Sequence, residues 1–286
     1  MTTDFTKDRK IYFGTQNLMS WVPAPGRDVD RSSAGWSSVS DRLNGTKGVK
    51  RSAGTSRSYG MSWGLARDEE IDIIFAYANG DYGTDGIYWV DPWAAATNIM
   101  PDCWASPWKA GLDGKNLAGK DATRPAVYDT PDNTKALPVK YANYYLNGTE
   151  TFREVWIPIP EGFYLHFGFH GNLTDGTAGF EYQADDDEDP TEIVLIDTET
   201  DGITNSGIAG PNGVTFRMFG EVDGDLDFYG AVACLSKNQY SSGLTQWHTG
   251  QGHDALFFTQ MPTDRGIISN GINSFRAVEC TLVEAE

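Results

Sequence analysis

Basic residues, cysteine and long apolar runs are all scarce in this chain, and each scarcity narrows what it can be. Only 22 Lys and Arg stand against 40 Asp and Glu, a net charge of −18. The deficit is local: residues 151–286 hold 5 basic against 22 acidic side chains, whereas residues 1–150 hold 17 against 18. Affinity for nucleic acid rests on cation contacts to phosphate, so no nucleic-acid partner is expected for the acidic half. Cys103, Cys234 and Cys280 are odd in number and far apart, which argues against a disulfide framework or a metal-ligand cluster and leaves buried free thiols. No run of about 18 apolar residues occurs, and the opening MTTDFTKDRK lacks the apolar core of a secretory signal. The expectation is a protein assembled in a cytoplasm, without membrane insertion. Also missing are GxSxG, HExxH, P-loop and GxGxxG patterns, so the sequence supplies no catalytic residue, no cofactor and no metal site.

What is present points to short strands. Thirty-two glycines, 13 prolines and 13% aromatics favour many strands and turns over long helices. The expected fold is all-β, two sandwich or jelly-roll-like domains, the first with one short helix. That helix is predicted at 68–79, where Ile71, Ile74, Phe75 and Ala78 fall at helical spacing, Asp68 serves as N-cap and Gly80 as stop. Residues 11–23 read as one strand. Residues 27–67 carry a net charge of +5 and read either as a solvated loop or hairpin, or as an arm ordered against an acidic neighbour, with Ser56–Trp63 alternating enough to be a strand. The first domain is placed at 1–110 and a connection at 111–150. An acidic sandwich follows at 151–286, with strands at 163–169, 193–196, 214–219, 226–234, 255–258 and 277–283, and turns at Pro211-Asn212-Gly213 and Asp223-Gly224.

Residues 77–108 concentrate Trp89, Trp93, Trp104 and Trp108 among Asp91-Pro92 and Ser106-Pro107. Aromatics at this density need something large to bury against, their own core or another protein. The segment SRSYGMSW, a short helix and then a YGxxGIYWVDPWxxxTNxMPxxWASPW block together resemble the minor tail proteins of long-tailed bacteriophages that infect actinobacteria. The resemblance covers about the first 110 residues and, more loosely, the last 40. It implies a non-enzymatic structural component of the tail tip, located in the virion tail, with other tail proteins as partners and a trimer or six-copy ring as its assembly. Arg42, Lys47, Lys50, Arg51, Arg57, Trp89, Trp93, Trp104 and Trp108 are the candidate assembly interface, since a basic segment and an acidic domain on repeated copies steer each other into register.

Other constellations are weighed on their geometry. The run Asp185–Asp189 reads as a solvated loop tip more readily than as a cation site. Asp223, Asp225 and Asp227 open like an EF-hand loop, but Phe228 stands where glycine is needed and Cys234 where a glutamate is needed, so a strand with its acids on the wet face is expected. His166 and His170 sit on one strand face at a spacing of about 13 Å, too far for one metal, and a surface role is expected. The segment Asn238–Asp254 offers Tyr240, Trp247, Gln251 and Asp254 as candidate glycan contacts in a Gly-rich loop. Against that stands the reading that Trp247 tucks under its own loop. A sugar-binding adhesin that contacts a host surface glycan is thus the alternative to a tail scaffold, and an envelope-degrading hydrolase is the third reading.

Overall fold

The computed structural model describes residues 9–26, 30–34, 37–41, 47–51, 56–94, 97–109, 125–130, 137–146, 154–185, 189, 191–195, 203–209, 213–240, 244, 246–269 and 274–284. The fold is all-β, built from antiparallel sheets with two helices among the described residues. The strands are β1 (Lys10–Thr15), β2 (Leu18–Pro23), β3 (Asp30–Ala34), β4 (Ser37–Asp41), β5 (Lys47–Arg51), β6 (Ser56–Arg67), β7 (Tyr88–Val90), β8 (Ala126–Asp129), β9 (Lys140–Leu146) and β10 (Val155–Pro158). They continue as β11 (Tyr164–Ala184), β12 (Thr191–Leu195), β13 (Ile203–Ala209), β14 (Gly213–Ser236), β15 (Leu256–Phe258), β16 (Thr263–Ser269) and β17 (Ser274–Glu284); the helices are α1 (Asp68–Asn79) and α2 (Asp102–Ala105).

Contacts divide the chain into one unit of residues 1–91 with 255–286 and a second of residues 92–254. The division departs from the expected boundary near residue 150 because the pairing is non-local. β17 pairs with β6, joining residues 274–284 to 56–67. β9, expected in a connection, pairs with β14 and carries β8 on its other side. The Trp-rich block is therefore shared, with Trp89 in the first unit and Trp93, Trp104 and Trp108 in the second.

In the first unit, the sheet β2-β1-β7 and the sheet β15-β17-β6-β3 enclose a single core with α1. Residues 11–23 form a hairpin that turns at Gln16-Asn17, where one strand was expected. The helix has the predicted bounds: Ile71, Ile74 and Tyr77 are buried, and Gly80 ends it in the left-handed region at φ 80°. Asp68 is its first residue, not its cap. It contributes by charge instead, its Oδ1 3.0 Å from Arg276 Nε, while Arg276 Nη1 donates to Asp72 at 3.1 Å. The last part of the basic segment is β6, a central strand whose Tyr59, Met61 and Trp63 are buried. The strand expected at Ser56–Trp63 is thus present and extends to Arg67, and β4 pairs with β5 as a hairpin within the same basic segment.

The second unit is one seven-stranded sheet, β12-β11-β14-β9-β8, with β10 on β14 and β13 on β11. The expected strands at 214–219 and 226–234 are one strand, β14. Asp223-Gly224, read as a turn, stays extended because Gly224 pairs with Leu146 while β11 runs along the other side. Residues 165–171 and 226–236 are buried without alternation, so both faces of the β11–β14 ribbon are covered there. His166 is consequently fully buried, against its expected surface role, and its Nε2 lies 2.9 Å from the Asn238 carbonyl.

Candidate functional site

One stretch of the second unit's sheet carries a chemically rich face that is exposed at Tyr128 and Tyr145 and buried at Asp227 and Tyr229. Along β9, Ala142 and Tyr144 point inward and are buried, which turns Tyr141, Asn143 and Tyr145 outward. Register places Tyr128 of β8 opposite Tyr141, Asp227 of β14 opposite Asn143, and Asp225 opposite Tyr145. The Tyr128 and Tyr141 rings lie 5.6 Å apart at 32°, and those of Tyr141 and Tyr229 lie 5.1 Å apart at 39°. Three rings thus step across three adjacent strands, within the range of favourable aromatic pairing. Tyr128 at the sheet edge is 51% exposed and Tyr145 is 53% exposed.

Beside the rings, a single amide organises two carboxylates. Asn143 Nδ2 donates to Asp225 Oδ1 at 2.7 Å and to Asp227 Oδ1 at 2.8 Å, so one nitrogen fixes both acids. Asp227 is only 9% exposed. Burial pushes its carboxyl above the usual range, the Asn143 hydrogen bond opposes that rise and Asp225 adds to it. Burial, then the charge of Asp227, also pushes the Tyr229 hydroxyl up; Tyr141 shifts the same way for the same two leading reasons. Both hydroxyls therefore keep their protons at neutral pH. A sugar needs this set: aromatic surface for the C–H face of a pyranose, and fixed acceptors for its hydroxyls. The sequence held the signal in the period-2 pattern of Tyr141, Asn143 and Tyr145 and of Asp225, Asp227 and Tyr229. It is lost when residues 111–150 are taken as a connection.

The candidate loop contacts have diverse settings. Tyr240 is 83% exposed and Asp254 is buried at 8%. Trp247 is turned inward: its Nε1 donates to the Ala105 carbonyl at 2.8 Å, and its ring lies 5.6 Å from that of Trp108. Gln251 is exposed, and its backbone N–H donates to the Asn98 carbonyl at 2.7 Å. These four do not form one exposed surface. Trp247 is set against residues 105–108 and not under its own loop.

Asn98, fully buried, explains how residues 97–108 hold on to the sheet. Its Oδ1 accepts from Ala233 N at 3.0 Å and Met100 N at 3.1 Å, and its Nδ2 donates to the carbonyls of Ala231 at 3.1 Å and His248 at 2.9 Å. All four bonds open to an amide are made, and the side chain satisfies the edge of β14 as a strand would. The loop 250–252 lies so close that a Cβ on Gly252 would stand 1.8 Å from the Ile99 carbonyl oxygen.

The candidate interface residues part company in the same way. Trp104 is fully buried against Phe169, with ring centroids 6.0 Å apart, and has no surface to offer a partner. Trp89 packs edge-on to Tyr59 in the first unit's core, their centroids 6.0 Å apart. Trp93 is 53% exposed, with the Lys237 ammonium 4.4 Å above its ring. Arg57 is half-buried on β6; Lys47, Lys50 and Arg51 belong to β5; Arg42 lies outside the described residues. Of the run Asp185–Asp189, Asp185 accepts from Trp156 Nε1 at 3.1 Å and Asp189 is exposed, while 186–188 lie outside the described residues. Cys103, Cys234 and Cys280 are buried and free, and burial pushes the thiols of Cys234 and Cys280 up to about 12. Among the described residues, no group of three His, Cys, Asp or Glu could hold a metal ion, and no helix is long and apolar enough to cross a membrane.

No family model and no curated protein matches this chain. Among solved structures, the chain is similar to TmCBM61 in complex with beta-1,4-galactotriose, at 14% identity over 38% of this chain and 81% of the other, with a TM-score of 0.27. That score lies below what a shared fold requires.

Proposed function

We propose that this chain is a non-enzymatic component of a phage tail tip whose 92–254 unit holds carbohydrate of the host envelope on the tyrosine face. The observation that carries the binding role is the row Tyr128, Tyr141 and Tyr229 set beside Asp225 and Asp227, with Asn143 fixing both acids. The stacking surface is offered by the exposed Tyr128 and the half-buried Tyr141, with the buried Tyr229 supporting them, on a sheet face where strands hold side chains more firmly than loops do. The tail placement is supported by the TNxMP and WASPW resemblance. Within that motif Asn98 and Trp104 serve internal packing, which leaves the partner contacts of a tail protein to other surface.

The test is binding of the purified chain to isolated envelope polysaccharide. Tyr128→Ala should weaken binding about tenfold or more, the loss of one stacked ring. Its melting temperature should move little, because the ring is 51% exposed. Trp247→Ala should lower stability and leave the affinity of the folded fraction unchanged. Unaltered binding by Tyr128→Ala and by Asn143→Ala together would refute the proposal.

A further inference from the structure

We infer that Trp93 and Lys237 form a second sugar subsite on the 92–254 unit, one that takes a neutral pyranose; its ligand class rests on the carbohydrate reading above. The site grows from the end of the longest strand pair. Tyr164 pairs with Ser236 as the last rung of β11 on β14, so Phe163 and Lys237 are the next residues out on the two chains. The turn that carries Lys237 is pinned from inside. Asn238 donates its N–H to Ser236 Oγ at 3.0 Å, and its carbonyl accepts from Nε2 of the fully buried His166 at 2.9 Å. Phe163 is buried and meets Trp93 edge-on, with ring centroids 5.6 Å apart at 86°. Pro92, buried and fixed in φ, sets the turn from which Trp93 projects, 53% exposed.

Lys237 supplies the polar half of the site. Its ammonium lies 4.4 Å from the Trp93 centroid and 5.4 Å from that of Phe163, so it approaches the indole from the side that Phe163 occupies. The open remainder of the indole is an apolar plate of the kind that the C–H face of a pyranose covers. Residues 92–254 hold 24 Asp and Glu against 9 Lys and Arg, yet Lys237 makes no ion pair among the described residues. The rings hold the ammonium by its charge, which leaves N–H donors for hydroxyl oxygens beside the indole. The same excess of acid repels a polyanion, whereas a neutral sugar meets no such repulsion. A protein anchor packs an aromatic within a well-filled pocket; here the next exposed residues are the polar Lys237, Asn238, Gln239 and Tyr240. Tyr229 lies eight residues before Lys237, about 26 Å of extended chain, farther than three sugar rings reach. A trimer therefore fills one subsite or the other, and a polysaccharide spans both.

Calorimetric titration of the full chain at neutral pH decides it, with neutral trimers of glucose, galactose and mannose, with trigalacturonate, and with isolated envelope polysaccharide. The expected result is two molecules of a neutral trimer per chain, falling to one in Trp93→Ala and to one in Tyr128→Ala. Lys237→Met keeps a stem over the rings and removes the donors; it should weaken the Trp93 site about fivefold or more, and it serves should Trp93→Ala fail to fold. Polysaccharide affinity should fall at least about tenfold in Trp93→Ala, since one of two linked contacts is lost. Two trimers per chain in both the wild type and Trp93→Ala overturn the inference. A single site kept in Trp93→Ala and lost in Tyr128→Ala overturns it as well and leaves the tyrosine face standing; the reverse pattern supports it and removes that face. Trigalacturonate bound more tightly than any neutral trimer overturns the ligand assignment. Normal sugar binding by Trp93→Ala, with failure to enter assembled particles, assigns the indole to a protein neighbour and overturns the inference. Failure of every trimer and of the polysaccharide overturns both readings.

Discussion

Asn98 shows how much a single buried amide can hold. Its four hydrogen bonds join residues 97–100, the edge of β14 and the loop at His248. Asn98→Ala leaves several buried backbone groups without partners, each worth about 1–3 kcal/mol, so a loss on the order of 3–5 kcal/mol is expected in urea unfolding. Asn98→Asp sets a carboxylate oxygen against the Ala231 and His248 carbonyls in a buried site and should cost at least as much. A cost below about 1 kcal/mol for Asn98→Ala would show that water replaces the amide. Asp227 predicts the opposite sign. Its folded-state carboxyl is raised above the unfolded value, first by burial, so the native state binds the proton more tightly. The charged group therefore weakens the fold increasingly as pH rises through that raised range. Asp227→Asn should raise the melting temperature at pH 7, with a benefit that shrinks as pH falls through the raised range and is gone below the usual carboxylate range. A melting-temperature series against pH checks both the sign and the window, with Tyr141, Tyr229, Asp225 and Asn143 unchanged around it.

At the scale of elements, α1 was legible because its period, acidic first turn and glycine stop are all local. In the acidic half, β12, β15, β17 and parts of β11 and β14 were legible for the same reason, whereas β13 and β16 were not. The parts that escaped depend on partners far along the chain. Asp223-Gly224 has the composition of a turn, yet Gly224 pairs with Leu146 of β9 and the chain continues along β11 through a register shift. Ile11–Pro23 offers Asn17 as a local turn cue, but it is the Thr15–Leu18 pairing that shows the segment folding back on itself. The candidate site was half readable: its residues alternate, but nothing local tells that β8, β9 and β14 lie side by side. The docking of loop 250–252 on Ile99–Met100 was equally hidden, and it sets an element-scale test. Gly252→Ala drives a Cβ into the Ile99 carbonyl, so the backbone must shift. A cost of about 1–3 kcal/mol is expected, together with altered fluorescence from Trp247, whose indole N–H is held by Ala105 nearby. A variant with native stability and an unchanged Trp247 signal would show that the contact is not needed.

For the whole molecule, the division of the chain makes residues 92–254 an insertion into the other unit. Exit and return are neighbours within that unit, since Ile87 and Leu256 exchange backbone hydrogen bonds of 2.7 and 3.0 Å. Joining Asp91 to Ala255 through a short Gly/Ser linker should therefore yield a folded, β-rich protein with a cooperative melt; a molten product would show that the first unit depends on the second. The pairing of β6 with β17 also has a consequence for synthesis. Just over 200 residues separate the end of β6 from the start of β17, about 10–40 s of translation at ordinary ribosome speeds. Throughout that interval a nascent strand bearing Tyr59, Met61 and Trp63 waits without its central neighbour, while the whole inserted unit has already emerged and can fold. Its exposure to aggregation is set by elongation rate, so slowing the ribosome, or depriving the cell of holding chaperones, should lower the soluble yield of the full chain more than that of the shortened one.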